Sequence, residues 1–189
     1  MKAIIKILGL GLAVILSVNA SFAQDTYFDS HTIGLEIPAV ALIDIEPEAS
    51  KNINMAFSAI DLEAGNPIAA SVLDATLWLN VTSIVGTAQT RKVTAEISAG
   101  TVPEGTTLAV EAAANAGFGE GTFGAPLGQI TLSSTAGDLI SGIGSCYTEN
   151  GGSKGYNITY VWARAAGGFG SLLNFTSTVT ITYTLVAVN

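Results

Sequence analysis

Cysteine and histidine are almost absent from this sequence, which has one of each in 189 residues. A single cysteine, Cys146, excludes an intrachain disulfide, so the fold must be stabilised without one. A single histidine, His31, leaves too few ligands for the usual zinc sites and only one imidazole for acid–base catalysis. His31 also lies near the start of the chain, where residues are often poorly ordered. We therefore predict a protein that is not an enzyme and that binds no cofactor.

Charged residues, and basic ones above all, are also scarce. Seven Lys and Arg stand against 15 Asp and Glu, which gives a formal net charge of −8, and charged residues make up 12% of the chain. An acidic surface repels phosphate groups, so nucleic acid is not an expected partner. The hydrophobic set accounts for 49% of the residues, which is typical of a globular domain with a packed core.

Residues 1–23 have the pattern of a secretory signal peptide. Lys2 and Lys6 precede an apolar stretch, and Ser21-Phe22-Ala23 places small residues three and one before the expected cut. The apolar stretch is shorter than the roughly 20 residues that a membrane-spanning helix needs. Without its two lysines, five basic residues would stand against the same 15 acidic ones, a net charge of −10. We expect a mature chain of residues 24–189 that is secreted to the cell surface or beyond, with no membrane insertion after cleavage.

Apolar residues recur at every second position through most of the mature chain, which is the period of half-buried β-strands. The strongest example is 175–185, where Ile181 and Tyr183 share one face and threonines occupy the other. In 33–45 the odd positions are apolar, but Pro38 places this segment at a sheet edge or divides it in two. The other predicted strands are 53–57, 76–82, 92–98, 129–133, 156–166 and one around Leu108 and Val110.

The spacing of these segments predicts the fold class. Turn-forming pairs such as Gly151-Gly152 separate the strands, and only Ala109–Ala116 has the alanine content of a helix. Strands without intervening helices favour antiparallel sheets. We predict an all-β protein, a single immunoglobulin-like antiparallel β-sandwich of about seven to nine strands over residues 24–189.

The segment Gly119–Gly124 matches the G-x-G-x-x-G pattern of dinucleotide-binding proteins. That pattern binds phosphate only where it joins a strand to a helix, and here Pro126 and Gly128 follow at once. We predict instead that residues 117–128 form a glycine-rich surface loop.

Asp44, Glu46 and Glu48 are spaced by two residues, which places three carboxylates on one side of an extended strand. Such a row could bind Ca²⁺, but it lacks the glycine-bearing loop of an EF-hand, and Pro47 interrupts the strand. We favour a solvated acidic face and predict no metal site.

Three further residues have both a chemical and a structural interpretation. Trp78 and Trp162 could stack on sugar rings, but their apolar neighbours favour a place in the core or on a sheet face. Cys146 could link two chains, and we favour a small buried residue.

The layout of the mature chain resembles that of exported fimbrial subunits, most nearly the alternate chaperone-usher pilins and more distantly the spore-coat-U-like secreted domains. Three segments carry the resemblance: the alternating segment His31–Ile45, the basic-led strand Arg91–Ile97, and the terminal Thr/Val strand Phe175–Leu185. The glycine-rich loop and the single cysteine are not part of it.

The resemblance implies a mode of assembly. In those pilins each subunit lacks one strand of its sandwich, and the N-terminal strand of the next subunit fills the gap. On this basis residues 24–46 contain a donor strand, its donor residues are Ile33, Leu35, Ile37 and Ala39, and the partner is another copy of the chain. The sequence leaves open that the same strand pairs within its own domain.

We therefore predict a structural subunit of a secreted surface filament or coat, which polymerises head to tail by donor-strand exchange. The alternative is an autonomous extracellular β-sandwich module that presents loops such as 117–128 and 144–155 to a surface glycan or to another protein. An extracellular carbohydrate hydrolase is the least favoured, because the sequence shows few of the aromatic and polar residues that position sugars for cleavage.

Overall fold

The computed structural model describes residues 27–58 and 63–188, so the predicted signal peptide, residues 1–23, lies outside the described residues. The chain divides into two compact units, residues 1–36 and residues 37–189. In the first unit, the described residues form neither a helix nor a strand. All strands of the described chain belong to the second unit.

Eleven β-strands occur in the described residues, and four of them are only two residues long. The seven longer strands are β1 (Val40–Glu46), β2 (Ser71–Ile84), β3 (Thr90–Ala99), β4 (Thr106–Asn115), β8 (Gly137–Ile143), β10 (Tyr156–Arg164) and β11 (Thr180–Val188). The short strands are β5 (Glu120–Gly121), β6 (Ala125–Pro126), β7 (Ile130–Thr131) and β9 (Cys146–Tyr147). Two 3₁₀ turns, Glu48–Ser50 and Gly168–Ser171, complete the regular structure of this part of the chain.

The strands form two antiparallel sheets packed as a sandwich, which confirms the predicted immunoglobulin-like fold class. The larger sheet has the order β5-β9-β2-β10-β4-β7, with β1 also paired to β2. The smaller sheet has the order β11-β3-β8-β6. Strand β2 is central because residues 78–84 pair with β1, residues 71–79 pair with β10, and residues 82–83 pair with β9.

Alternate side chains of both sheets fill the space between them, as the period of two requires. In β2, Leu77, Leu79 and Val81 are 3%, 0% and 2% exposed, which confirms the face predicted from the sequence. The core also contains Val93, Ala95, Leu108, Val110, Ala112, Leu132, Leu139, Ile140, Ile143, Tyr156, Ile158 and Tyr160. Burial of these apolar side chains is the main source of stability in a fold without a disulfide.

The alanine-rich segment Ala109–Ala116 is not a helix, and the strand predicted around Leu108 and Val110 is confirmed. Residues 109–115 lie in β4, and only Ala116 follows the strand. Val110 and Ala112 enter the core at the strand period and are 0% and 3% exposed. This tertiary burial outweighs the helix propensity of the alanines.

Several predicted strands are shorter in the structure or absent from it. The strand predicted over 129–133 is limited to Ile130–Thr131, and the strand predicted over 175–185 begins only at Thr180. The strand predicted over 33–45 begins only at Val40, just after Pro38. The segment 53–57 is not a strand, although Ile53 and Met55 pack against the core as their alternation indicates.

The glycine-rich stretch is more ordered than the predicted surface loop, because it contains β5 and β6. Since β5 pairs with β9 of the larger sheet and β6 pairs with β8 of the smaller sheet, the chain crosses here from one sheet to the other. Gly119, Gly121 and Gly124 all have positive φ, and a Cβ atom at these positions would lie 1.7, 2.1 and 2.3 Å from a backbone carbonyl oxygen. The G-x-G-x-x-G pattern therefore serves close pairing of the backbone.

A pair of tyrosines links the two sheets. The hydroxyl groups of Tyr160 in β10 and Tyr183 in β11 are 2.6 Å apart and form a hydrogen bond. A third phenol, that of Tyr156, donates to the backbone carbonyl of Phe123 in the crossing segment. Burial raises the pKa of all three tyrosines, since it disfavours the charged phenolate.

We expect these three phenols to make the fold sensitive to alkaline pH. Because their pKa values are raised in the folded state, the folded protein binds their protons more tightly than the unfolded chain does. Their contribution to stability is complete below about pH 10, the ordinary phenol pKa, and is lost progressively above it. In a titration followed by phenolate absorbance and circular dichroism together, Tyr156, Tyr160 and Tyr183 should ionise only as the sheets unfold. Ionisation of all five tyrosines before any loss of structure would contradict this expectation.

Candidate functional site

The predicted donor residues are all exposed, and in the sequence they precede the first strand. Ile33, Leu35 and Ile37 are 70%, 90% and 80% exposed, and Ala39 is also exposed. None of them belongs to a helix or a strand. Large apolar side chains at every second position, all accessible to solvent, have the chemistry of a segment that can add to a sheet.

Strand β11 lies at the end of the smaller sheet, where it pairs with β3 on one side. Its pairing spans the whole strand, from Thr180 opposite Ala99 to Val188 opposite Thr90. In the order of strands in the described chain, no strand follows β11 on its other side. Among the strands that the structure describes, one edge of this nine-residue strand therefore has no sheet partner for its backbone groups.

The sequence of this edge strand offers little protection against pairing. Proteins usually guard a long edge with lysine, proline or a bulge that twists it away. Residues 180–188 contain no charged residue and no proline, and the register shifts only at the first step, between Thr180 and Ile181. We refer to the unpaired side of Thr180–Val188 as the open edge.

The side chains that β11 directs toward the core are incompletely covered. Ile181, Tyr183 and Leu185 of β11 pack against the core but are only half-buried. Ile43 and Ile45 also pack against the core and are half-buried, and they belong to β1, a strand that comes close to β11. Apolar side chains at this end of the core would therefore gain burial if another strand covered them.

The sequence predicts a strand here but does not indicate that this strand is the edge of its sheet. Alternation in 175–185 predicted the inward face correctly, since Val179, Ile181 and Tyr183 pack against the core. The position of a strand within its sheet depends on pairing with distant residues, and no local pattern reports it.

The acidic residues Asp44, Glu46 and Glu48 make local hydrogen bonds and one ion pair. In β1, the Asp44 carboxylate accepts the backbone N–H of Ile45, and the Glu46 carboxylate accepts that of Glu48. Glu48 lies in the first 3₁₀ turn and pairs with Lys51 at 2.7 Å. No group of three or more potential metal-binding residues occurs in the described part of the chain.

The structure separates the two tryptophans. Trp162 faces the core, where its ring lies 4.4 Å from that of Phe57, measured between ring centroids. Trp78 points to the outer face of the larger sheet, because its neighbours Leu77 and Leu79 point inward. His31 lies among the exposed residues of the first unit.

Cys146 lies in β9 with its side chain in the core, 6% exposed. This burial agrees with the predicted small buried residue. Burial raises the pKa of this thiol, so the reactive thiolate is disfavoured.

Comparison of the chain with protein-family models, with curated proteins and with solved structures finds no match. Among the helices of the described residues, none has the length and hydropathy needed to cross a membrane.

Proposed function

We propose that this protein is an exported structural subunit of a surface filament or coat, in which the segment containing Ile33, Leu35 and Ile37 of one copy adds to the open edge of the next. The single observation that carries the proposal is the open edge itself, nine residues without charge or proline beside half-buried apolar side chains. Such an edge is an aggregation hazard in a protein whose function does not involve strand addition.

The two surfaces match in length and chemistry. Residues 33–39 form a seven-residue segment that can pair with most of the nine residues of β11. Main-chain hydrogen bonds would hold the added strand, and its alternate side chains would fill the incompletely covered end of the core. Full burial of one such side chain contributes about 1.5–3 kcal/mol, so three of them supply a substantial favourable free energy of association.

The proposed contact joins different surfaces of the two copies. Each added copy carries its own exposed segment and its own open edge, so growth continues unless the rotation between copies closes a ring. Export by the predicted signal peptide would place this assembly outside the cell, and no catalytic step is required of the protein.

Negative-stain electron microscopy of the exported protein, together with light scattering after gel filtration, tests this proposal. We expect linear particles of uniform width whose length grows with protein concentration. A protein that stays monomeric at all concentrations would contradict the proposal and favour the alternative, an autonomous binding module.

A further inference from the structure

A shallow depression of about 260 Å³ lies on the outer face of the larger sheet. Strand β1 contributes Leu42 and Asp44, strand β2 contributes Asn80 and Thr82, and β9 with the turn after it contributes Tyr147 and Asn150. Leu42 lies opposite Thr82, and Thr82 lies opposite Tyr147, so these three side chains form one row across three adjacent strands. Asp44 and Asn80 form the next row.

The turn beside this depression is fixed to the sheet. The Asn80 side chain donates to the carbonyl of Lys154 at 2.9 Å and accepts the N–H of Gly151 at 2.7 Å. Asn80 is 5% exposed, so both bonds are shielded from water. Within the turn, Lys154 pairs with Glu149 at 2.5 Å. The walls of the depression are therefore held in place before any ligand arrives, which lowers the entropic cost of binding.

The exposed groups of the depression combine an apolar wall with hydrogen-bonding groups. Tyr147 is 45% exposed and Leu42 is 63% exposed, so both side chains offer apolar surface to a ligand. Asp44 provides carboxylate acceptors, and Asn150 provides an amide that both donates and accepts. Pockets that bind small molecules have this combination of an apolar surface and a few fixed polar groups.

A neutral sugar ring matches these groups better than an acidic ligand does. One face of a pyranose consists of C–H groups and can lie against the Tyr147 ring, while its hydroxyl groups can bond to Asp44 and Asn150. Of the two carboxylates in the depression, Glu149 pairs with Lys154, whereas Asp44 makes no ion pair with another described residue. This carboxylate would repel an acidic sugar, and one carboxylate is a poor site for a metal ion.

We propose that the depression formed by Leu42, Asp44, Thr82, Tyr147 and Asn150 is a binding site for a neutral oligosaccharide. The site lies wholly in the second unit and does not depend on the filament proposal. A filament of such subunits would present the site once per subunit, and repetition would strengthen the binding of a repeating glycan.

An array of immobilised neutral oligosaccharides and of their sialylated and sulfated counterparts tests the proposal. We expect the purified protein to bind one or more neutral oligosaccharides and to bind the acidic counterparts less. Tyr147→Ala and Asp44→Asn should each weaken binding at least tenfold, about 1.4 kcal/mol, while leaving the fold unchanged by circular dichroism. The matched controls are Phe169→Ala, which removes another half-exposed aromatic ring, and Glu111→Gln, which neutralises an exposed carboxylate outside the depression.

Binding to no neutral oligosaccharide would overturn the proposal, and so would equal binding by Tyr147→Ala, Asp44→Asn and the controls. The array is repeated with Leu35→Asp, which changes the proposed polymerisation segment and not the depression. If Leu35→Asp forms no filaments but still binds sugar, the result supports a sugar site that is independent of filament formation. Filaments without sugar binding would overturn only this one.

Discussion

If the protein is exported and assembles as proposed, Leu35→Asp is expected to abolish its multimers and to leave secretion of the folded monomer intact. Leu35 is 90% exposed, so the fold of a single copy does not need its side chain. Between two copies, the substitution removes the burial of leucine and requires a carboxylate to enter an apolar contact. We expect the association constant to fall at least a hundredfold, about 2.8 kcal/mol, measured by sedimentation of the purified protein.

Gly34→Asp is the matched control for this substitution. It adds the same charge one residue earlier, where a Cβ atom would meet no other atom within 4 Å. In an extended segment, neighbouring side chains point to opposite faces, so this carboxylate should remain in water and multimers should persist. If Leu35→Asp instead prevents folding, the segment pairs within its own domain, and the filament proposal is wrong.

A complementary variant on the open edge shows which surface donates the strand and which surface accepts it. Thr184 is exposed in the middle of β11, and Thr184→Lys introduces the residue with which proteins commonly protect sheet edges. We expect this variant to be monomeric because it cannot accept a strand. Mixed with Leu35→Asp, it should form dimers and nothing larger, since one variant can still donate and the other can still accept. Absence of dimers in the mixture would show that the two surfaces do not pair.

Gly119→Ala is expected to destabilise the fold far more than Gly117→Ala, although both glycines have positive φ, 79° and 88°. At Gly117 a new Cβ atom would meet nothing within 4 Å, so only the backbone conformation is unfavourable, at about 1 kcal/mol. At Gly119 the Cβ atom would lie 1.7 Å from the carbonyl oxygen of Tyr147. The pairing of β5 with β9 would have to open, and we expect a total cost of at least about 3 kcal/mol.

Urea unfolding of the two glycine variants, followed by circular dichroism, measures this difference. Equal midpoints for Gly117→Ala and Gly119→Ala would show that the crossing segment is not tightly paired in solution. The same result would contradict the explanation that the glycines of the G-x-G-x-x-G pattern are needed because the backbone segments approach closely.

Much of the fold could be predicted from the sequence because its longer strands alternate. The inward faces of β2, β3 and β11 follow from the period of two, and burial confirms them at Leu79 and Val93, both 0% exposed. Strand β8 was missed because Leu139 and Ile140 are consecutive, yet both are fully buried. The register between β3 and β8 shifts twice. Such irregularities disrupt the alternation of apolar and polar residues from which a strand is predicted. Strands of two residues, such as β9, are too short to show any period.

The candidate sites were less predictable than the fold. The exposed segment at Leu35 could be proposed from the sequence, because its alternation lies within a few consecutive residues. The open edge and the depression at Tyr147 depend on which strands become neighbours. Asp44, Thr82 and Tyr147 come from three segments far apart in the chain, and only the pairing of β1, β2 and β9 brings them to one face.

The buried thiol of Cys146 provides a built-in reporter of local opening. A disulfide reagent reacts with an exposed thiolate, so modification of Cys146 must wait until β9 and its neighbours separate. The rate of that reaction, compared with the rate in denaturant, would give the free energy of opening of this part of the sandwich. Because the chain has no other cysteine, the measurement needs no engineered label, and it can be made on monomer and assembled material alike.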